Sequence, residues 1–151
     1  MSTLGSGSPT IETIAVIGAG TMGHGIAQIA GAVGFRVLLR DVDRESLARG
    51  INSIEKNLAK GIKLGKLTEA DSERTLQQIR GTTILDDCAA ADLIIEAAPE
   101  KLDLKRDILH QLEVASDRQF IFASNTSSLS ITEMMTATSA ERQRRFIGMH
   151  F

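Results

Sequence analysis

Three glycines at fixed spacing lie near the start of the chain, in the run Gly18-Ala19-Gly20-Thr21-Met22-Gly23. In a turn from a strand into a helix, the first glycine permits a tight bend, the second lets the backbone approach a pyrophosphate, and the third lets helix and strand pack closely. Free N–H groups and the positive end of the helix dipole then hold the anion. The run predicts a dinucleotide-binding turn, although a glycine-rich turn without a ligand has the same spacing.

An acidic side chain follows this turn at the distance that a ribose contact requires. Asp41 comes about 20 residues after Gly23, directly after a second apolar run. A carboxylate there accepts hydrogen bonds from the adenosine ribose and repels a 2′-phosphate, which favours NAD over NADP. Arg40 and Arg44 flank it and could hold a phosphate, so NADP stays open as an alternative. Asp43 is predicted to cap the next helix.

Two later segments carry side chains that could handle a proton. The polar run 124–128, which contains Ser127, follows one apolar stretch, and His150 follows another. An imidazole, with an unperturbed pKa of about 6.5, can take up and release a proton near neutral pH. A serine hydroxyl can donate or accept a hydrogen bond. In the alternative interpretation, the polar run caps the next helix and the histidine ends an edge strand.

Strand-like and helix-like patterns alternate along the chain, which predicts an α/β domain with a mainly parallel sheet. The predicted strands are residues 13–17, 35–40, 82–85, 93–96, 120–124 and 146–150. Helices are predicted from about 21 to 34, 47 to 62, 68 to 79, 101 to 116 and 131 to 135, the third opening on a capping box at Thr68. Because ligands bind outside the carboxyl ends of such strands, the candidate residues are expected to meet at one edge of the sheet.

The composition restricts the classes of function. The 151 residues suit one domain, and a net charge of −2 with 3% aromatic residues gives no case for nucleic acid or an acidic membrane as partner. No apolar stretch approaches the roughly 20 residues that span a bilayer. Cys88 is the only cysteine, so an intrachain disulfide is excluded. A single free thiol fits a protein of the reducing cytoplasm, and Cys88 is predicted to be structural. No metal site is predicted, and the basic run Arg142, Arg144 and Arg145 is predicted to be solvated.

Four segments, taken together, are more specific than any of them alone. They are IAVIGAGTMGHGIA at 14–27, IIEAAPE at 94–100, ASNTSSL at 123–129 and GMHF at 148–151. In this order and spacing they resemble the amino-terminal domain of the 3-hydroxyacyl-CoA dehydrogenases. The resemblance implies a Rossmann-type doubly wound sheet with a helical-pair insertion after the second strand, NAD as cofactor, and oxidation of (S)-3-hydroxyacyl-CoA to 3-oxoacyl-CoA.

The resemblance also implies roles for individual residues. The turn from Gly18 to Gly23 would hold the pyrophosphate, and Asp41 the adenosine ribose. Ala98, Pro99, Glu100 and Lys105 would lie near the nicotinamide half of the cofactor. Ser127 would contact the nicotinamide side and the 3-oxygen of the substrate, and His150 would be the catalytic acid and base. CoA would contact Asn57, Lys60 and Lys63.

The family continues past His150 with a helical domain, which supplies the carboxylate partner of the histidine and most of the acyl pocket. We therefore expect residues 1–11 to be a disordered leader and residues 12–151 to be the NAD-binding domain, the helical domain being absent. Activity would require that second domain, and the full-length enzyme is expected to be a homo-oligomer. An isolated NAD-binding module or fragment without turnover remains the alternative.

Overall fold

Six parallel strands form one sheet in the order β3-β2-β1-β4-β5-β6. The computed structural model describes residues 10–136 and 138–151, so the predicted leader lies outside the described residues apart from Thr10 and Ile11. The strands are β1 Thr13–Ile17, β2 Arg36–Arg40, β3 Ile79–Thr82, β4 Leu93–Glu96, β5 Ile121–Asn125 and β6 Phe146–Met149. The order reverses between β1 and β4, where ligands of doubly wound sheets bind. The predicted fold class is confirmed.

Helices cover both faces of this sheet. They are α1 Thr21–Ala32, α2 Arg44–Lys63, α3 Glu69–Gln78, α4 Leu102–Ala115, α5 Ile131–Met135 and α6 Ala140–Gln143, with a 3₁₀ helix at Asp86–Ala90. Along β1, Ala15 and Ile17 belong to one core cluster, and Ile14 and Val16 belong to the other. Burial on both faces explains why the strand is a continuous apolar run rather than an alternating one. None of the helices in the described ranges is long and apolar enough to cross a membrane.

The helical pair predicted after the second strand is confirmed as α2 and α3. The Asp43 carboxylate caps α2 by accepting the Ser46 N–H at 2.7 Å, and Thr68 with Asp71 forms the predicted capping box of α3. At Gly50, α2 passes so close to the glycine turn that a Cβ would lie 2.6 Å from the Ala19 carbonyl oxygen. The insertion therefore packs directly against the predicted phosphate-binding turn.

The predicted position of the third strand, 82–85, is wrong. The strand spans Ile79–Thr82 and begins directly after α3, with its first residue paired to Val37 of β2. Gly81 hid it from the hydrophobic pattern: it lies under α2, where a Cβ would be 3.0 Å from a leucine methyl group. The apolar pair Ile84-Leu85, which follows β3, resembles a strand in the sequence because Leu85 is buried at the start of the 3₁₀ helix.

Arg142 is buried, so the prediction that its basic run is solvated is wrong for this residue. Its side chain is 5% exposed, and Nη1 donates to the Phe120 carbonyl oxygen at 2.8 Å. The guanidinium also lies over the Phe120 ring, 3.7 Å from its centroid, and burial lowers the pKa of Arg142. Helix α6, which carries this residue, was not predicted. The carbonyl groups that accept hydrogen bonds from the guanidinium belong to residues 118 and 120, more than 20 positions away in sequence. A local charge pattern does not show such distant partners.

Asp92 gives a testable expectation about stability. Its carboxylate accepts the backbone N–H groups of Glu12 and Thr13 at 3.0 and 2.9 Å and pairs with Arg118, which fixes the start of β1 beside β4. We expect Asp92→Ala to lower the free energy of unfolding by about 1–3 kcal/mol at pH 7, whereas Asp117→Ala, at an exposed loop position, leaves it nearly unchanged.

The backbone hydrogen bonds from Glu12 and Thr13 hold the pKa of Asp92 below its ordinary value. A carboxylate of this kind stabilises the fold above its unfolded pKa, and that stabilisation is lost as the pH falls through the folded pKa. The difference in the free energy of unfolding between wild type and Asp92→Ala should therefore shrink as the pH falls from about 4 to the lower folded pKa. Urea unfolding at pH 7 and pH 3 measures it, and an equal difference at both pH values would contradict this role.

Candidate functional site

A cavity of about 520 Å³ lies at the carboxyl edge of the sheet, where the strand order reverses. Its wall combines the turn after β1 with the ends of β2, β4 and β5. Nine residues predicted for the site line it: Gly18, Gly20, Thr21, Met22, Asp41, Ala98, Pro99, Glu100 and Ser127. Side chains separated widely in sequence thus meet in one cavity, because all of them follow parallel strands.

The three glycines of the turn are required for different reasons. Gly18 has a φ of 100°, and a Cβ there would lie 2.6 Å from the Ala97 carbonyl oxygen. At Gly23 a Cβ would lie only 1.6 Å from the Gly18 carbonyl oxygen. At Gly20, by contrast, a Cβ would meet no described atom within 4 Å, yet this residue lines the cavity. The protein itself needs the outer two glycines, whereas the middle one leaves space that a ligand can fill.

The start of α1 is suited to an anion. Gly20 is the N-cap residue and provides no side-chain cap, so the first N–H groups of the helix keep their hydrogen-bonding capacity. These groups carry the positive end of the helix dipole and lie in the wall of the cavity at Thr21 and Met22. A pyrophosphate fits this arrangement because the turn offers backbone donors and unfilled space together.

Asp41 is held beside the turn by backbone donors. One carboxylate oxygen accepts the Ala19 N–H at 2.8 Å, and the other accepts the Val42 N–H at 2.7 Å. A carboxylate has about four lone-pair positions, so acceptor capacity remains for ribose hydroxyls. Arg40 also lines the cavity, and its Nε is buried without a hydrogen-bond partner in the part of the chain that the structure describes.

Lys105 lies beneath the cavity rather than in its wall. Its fully buried ammonium is 3.0 and 3.1 Å from the two carboxylate oxygens of Glu96, and that carboxylate also accepts the Ser124 hydroxyl at 2.6 Å. Burial raises the pKa of Glu96, and the Ser124 hydroxyl and the Lys105 ammonium oppose this rise. The lysine therefore contacts protein groups next to the expected nicotinamide region, without lining the cavity itself.

Glu100 joins the two loops that line this end of the cavity. Its carboxylate accepts the hydroxyls of Thr126 and Ser128 from the loop after β5, and Lys105 lies 3.4 Å away. Partial burial works to raise the pKa of Glu100, but the Thr126 hydroxyl and the Lys105 ammonium hold it below its ordinary value. The ionised carboxylate thus connects the loop after β4 with the loop that carries Ser127.

His150 follows β6 and is exposed, and it does not belong to the wall of the cavity. The backbone beside it is nevertheless attached to the site, since the Phe151 N–H donates to the Asn125 side-chain oxygen at 3.3 Å. Asn125 is the last residue of β5 and does line the cavity. The strand order thus delivers the histidine to the expected edge, outside the wall of the cavity.

The residues predicted to contact CoA lie elsewhere. Asn57, Lys60 and Lys63 are exposed along α2 and do not line the cavity. Asn57 donates from its amide nitrogen to the Gln28 side-chain oxygen at 3.3 Å, which connects α2 with α1. The structure therefore leaves these three side chains on the outer surface of the helical insertion.

Several residues of the site received no individual role from the sequence, although Asn125 belongs to the polar run 124–128 that was expected at this edge of the sheet. Val42, Leu104, Ile108 and Asn125 line the cavity, and Glu96 lies beneath it. Two signals were available: a charged residue ends the otherwise apolar β4, and an apolar residue, Val42, stands between Asp41 and Asp43. The two residues of α4 gave no such signal, because their spacing of four is that of an ordinary core-facing helix.

Other chemistry receives little support. Burial raises the pKa of the Cys88 thiol to about 12, so this group stays protonated and lacks thiolate character. Across residues 10–136 and 138–151, no group of three or more His, Cys, Asp or Glu side chains could hold a metal ion.

Comparison with known proteins identifies the domain. Residues 13–151 match the family model described as 3-hydroxyacyl-CoA dehydrogenase, NAD binding domain. The 3-hydroxybutyryl-CoA dehydrogenase of Bradyrhizobium diazoefficiens is 44% identical over 93% of this chain and 47% of its own length. The 3-hydroxyadipyl-CoA dehydrogenase of Escherichia coli is 43% identical over 93% of this chain and 29% of its own length.

Solved structures agree with this match. The crystal structure of (S)-3-hydroxybutyryl-CoA dehydrogenase from Ralstonia eutropha has a TM-score of 0.89 and 46% identity, and covers 94% of this chain and 50% of that chain. The chain therefore spans about half of this relative and of its Bradyrhizobium counterpart, and a smaller part of the Escherichia coli protein.

The glycine turn offers a matched pair of substitutions. Gly20→Ala should leave the free energy of unfolding nearly unchanged, because its Cβ meets no described atom. The same Cβ would fill the space of the pyrophosphate, so NADH binding should weaken by about tenfold or more. Gly23→Ala should instead destabilise the fold by about 3 kcal/mol or more, because its Cβ overlaps the Gly18 carbonyl oxygen. Urea unfolding and NADH fluorescence titration measure the two effects. Undiminished NADH binding by Gly20→Ala would show that the pyrophosphate lies elsewhere.

Proposed function

We propose, because the chain belongs to the 3-hydroxyacyl-CoA dehydrogenase family, that it is the cofactor-binding half of an enzyme that oxidises (S)-3-hydroxyacyl-CoA to 3-oxoacyl-CoA. Residues 12–151 would form this half as one domain, which is supported by the match of residues 13–151 to the NAD-binding domain of the family. The observation that carries the proposal is the single cavity that joins the glycine turn and Asp41 at one end to Glu100 and Ser127 at the other. The two ends suit the adenosine and nicotinamide halves of a dinucleotide.

The adenosine half of NAD would be held mainly by backbone groups. The turn from Gly18 to Gly23 would hold the pyrophosphate through the N–H groups at the start of α1, since the N–H groups of Gly18 and Ala19 already donate to Arg40 and Asp41. Asp41 would accept hydrogen bonds from the ribose. The exposed side chain of Val42, in the same wall, offers apolar surface to the adenine. This assignment is supported by the space at Gly20 and by the carboxylate that backbone N–H groups already orient.

The nicotinamide half would lie against Ala98, Pro99 and Glu100, with Ser127 facing the substrate. Bound NAD supplies the hydride acceptor. The Ser127 hydroxyl would donate a hydrogen bond to the 3-oxygen of the substrate, and His150 would take the proton that this oxygen loses. A carboxylate is expected to orient the imidazole and stabilise the imidazolium, as in other histidine-based sites.

The substrate and the assembly extend the proposal beyond the cavity. Asn57, Lys60 and Lys63 would contact CoA, whose phosphates suit the two exposed lysines in the last turn of α2. We expect the whole protein to be a homo-oligomer. We place it in the cytoplasm, where a reducing environment suits a buried free thiol such as Cys88.

The decisive experiment supplies the part of the relatives that this chain does not match. The remaining half of the Bradyrhizobium 3-hydroxybutyryl-CoA dehydrogenase is fused after Phe151, and NADH formation from (S)-3-hydroxybutyryl-CoA is followed at 340 nm. The fusion should turn over, whereas the 151-residue chain should bind NADH without turnover. Turnover by the chain alone would contradict the division between the two halves, and failure of the chain to bind NADH at millimolar concentration would contradict the proposal as a whole.

Asp41 should determine the choice of cofactor. Asp41→Asn removes the charge that repels a 2′-phosphate and weakens the acceptor for the ribose, so NADH affinity should fall by about tenfold while NADPH affinity rises. Asp43→Asn is the matched control, because it removes a neighbouring charge and keeps a side chain that caps α2. Fluorescence titration with both reduced cofactors measures the preference, and an unchanged ratio for Asp41→Asn would show that this acid has another role.

His150 should affect the reaction and not the cofactor. In the fusion enzyme, His150→Gln should lower kcat by about 100-fold or more, since general acid–base catalysis contributes factors of this size. The Kd for NADH should stay within about twofold, because His150 lies outside the wall of the cavity. The check combines steady-state kinetics with NADH titration. A large loss of NADH affinity at unchanged kcat would show that His150 binds the cofactor and does not transfer the proton.

A further inference from the structure

We infer that Glu96 and Lys105 are positioning residues, whose buried ion pair fixes the loops of the nicotinamide half and the backbone beside His150. Both side chains are fully buried, and neither lines the cavity. They would therefore act through other groups rather than by contact with the cofactor. This inference rests on the proposed function, since it concerns the end of the cavity assigned to nicotinamide.

Stability alone does not account for this pair. Removing an ammonium and a carboxylate from water costs several kcal/mol per ion, and well-packed apolar residues of similar volume are often at least as stable. The strand neighbours of Glu96 are apolar, since Ile17 pairs with it in the sheet, Ile94 lies two residues before it on β4, and both are fully buried. A charged pair at this place is better explained by what it holds than by the free energy of unfolding that it contributes.

The carboxylate of Glu96 fixes the loop after β4 and the end of β5. Oε1 accepts the Ala98 N–H at 2.6 Å, and Oε2 accepts the Ser124 hydroxyl at 2.6 Å. Ala98 lines the cavity, and Ser124 begins the polar run that contains Ser127. Each oxygen therefore holds one of the two loops between which the nicotinamide ring would lie.

The ammonium of Lys105 faces three acceptor groups, of which two are carboxylates. It lies 3.0 Å from Glu96, 3.4 Å from the Glu100 carboxylate and 3.5 Å from the Asn125 carbonyl oxygen. These acceptors belong to β4, to the loop after β4 and to the end of β5. One cation thus links three segments that converge on the cavity. The long side chain of Lys105 lets α4 supply this cation.

The link extends to the strand that carries His150. Asn125, whose carbonyl oxygen faces Lys105, accepts the Phe151 N–H with its side-chain oxygen. Strand β6 also pairs with β5 up to Asn125 and Met149. Fixing the end of β5 therefore fixes the backbone on both sides of His150. The ion pair lies at the centre of a network that reaches Glu100, the polar run that contains Ser127, and the backbone on both sides of His150.

The test separates the nicotinamide half from the adenosine half with two ligands, NADH and ADP-ribose. Glu96→Leu combined with Lys105→Met replaces the pair by apolar residues, so this double variant of the 151-residue chain should keep its fold. Its ADP-ribose affinity should equal that of wild type, because the turn and Asp41 are unchanged. Its NADH affinity should fall by about tenfold, and the increase of nicotinamide fluorescence on binding should diminish.

Arg142→Met is the matched control, because Arg142 is also a buried cation but binds carbonyl groups before the start of β5, at the opposite end of that strand. It should lower stability without changing the preference for NADH over ADP-ribose. If the double variant does not fold, Glu96→Gln combined with Lys105→Met replaces it, because this pair also removes both charges and keeps the shape of the Glu96 side chain. The same selective loss of NADH affinity is expected.

Two results would overturn the inference: unchanged affinities for both ligands, or parallel losses for both as expected of a general structural defect. Wild-type protein that binds NADH no better than ADP-ribose would also overturn it, while leaving the adenosine half of the proposed function intact. Failure of wild-type protein to bind either ligand would instead refute the proposed function itself.

Discussion

The close approach of helix α1 to the turn before it is the constraint on which the rest of the site depends. No side chain fits between Gly23 and the Gly18 carbonyl oxygen, and on the other side Gly18 packs against the Ala97 carbonyl oxygen. The Gly18 N–H donates to the Arg40 carbonyl oxygen at 2.8 Å, and Gly50 of α2 packs against Ala19. Strands β2 and β4 and helices α1 and α2 therefore all contact one short turn, which has little freedom to move.

This packing explains how a site can be made largely of backbone. Because the turn is fixed by its neighbours, its N–H groups keep their direction without side-chain caps, and the space at Gly20 is preserved. Asp41 is oriented by the same turn, since one of its oxygens accepts the Ala19 N–H. The pyrophosphate and ribose contacts of the proposal thus share one rigid unit, and organising such a unit before binding reduces the entropy lost when a ligand binds.

The sequence predicted the parts of the structure that depend on local spacing. The glycine turn, both helices of the insertion, the short helix after the polar run and the convergence on one edge all follow from patterns within a few residues. The third strand was misplaced because Gly81 carries no side chain to reveal it, and Arg142 was misjudged because its carbonyl partners come from a distant segment. The partners of Lys105 are hidden from the sequence for the same reason, because they come from β4 and β5, which the helical periodicity of α4 does not record.

The two halves of the cavity are consequently built by different physical means. Glycine geometry and backbone N–H groups form the end assigned to adenosine, where a neutral main chain would meet an anion. At the other end, the ion pair of Glu96 and Lys105 in the dry interior and the exposed Glu100 set the positions of the loops. Interactions in such an interior are strong but depend on every partner being present, so the loss of one member leaves a buried charge unpaired. Cofactor binding at the end assigned to nicotinamide should therefore be more sensitive to single substitutions than binding at the end assigned to adenosine. The glycine fingerprint is nevertheless the part of the site that is easiest to recognise in the sequence.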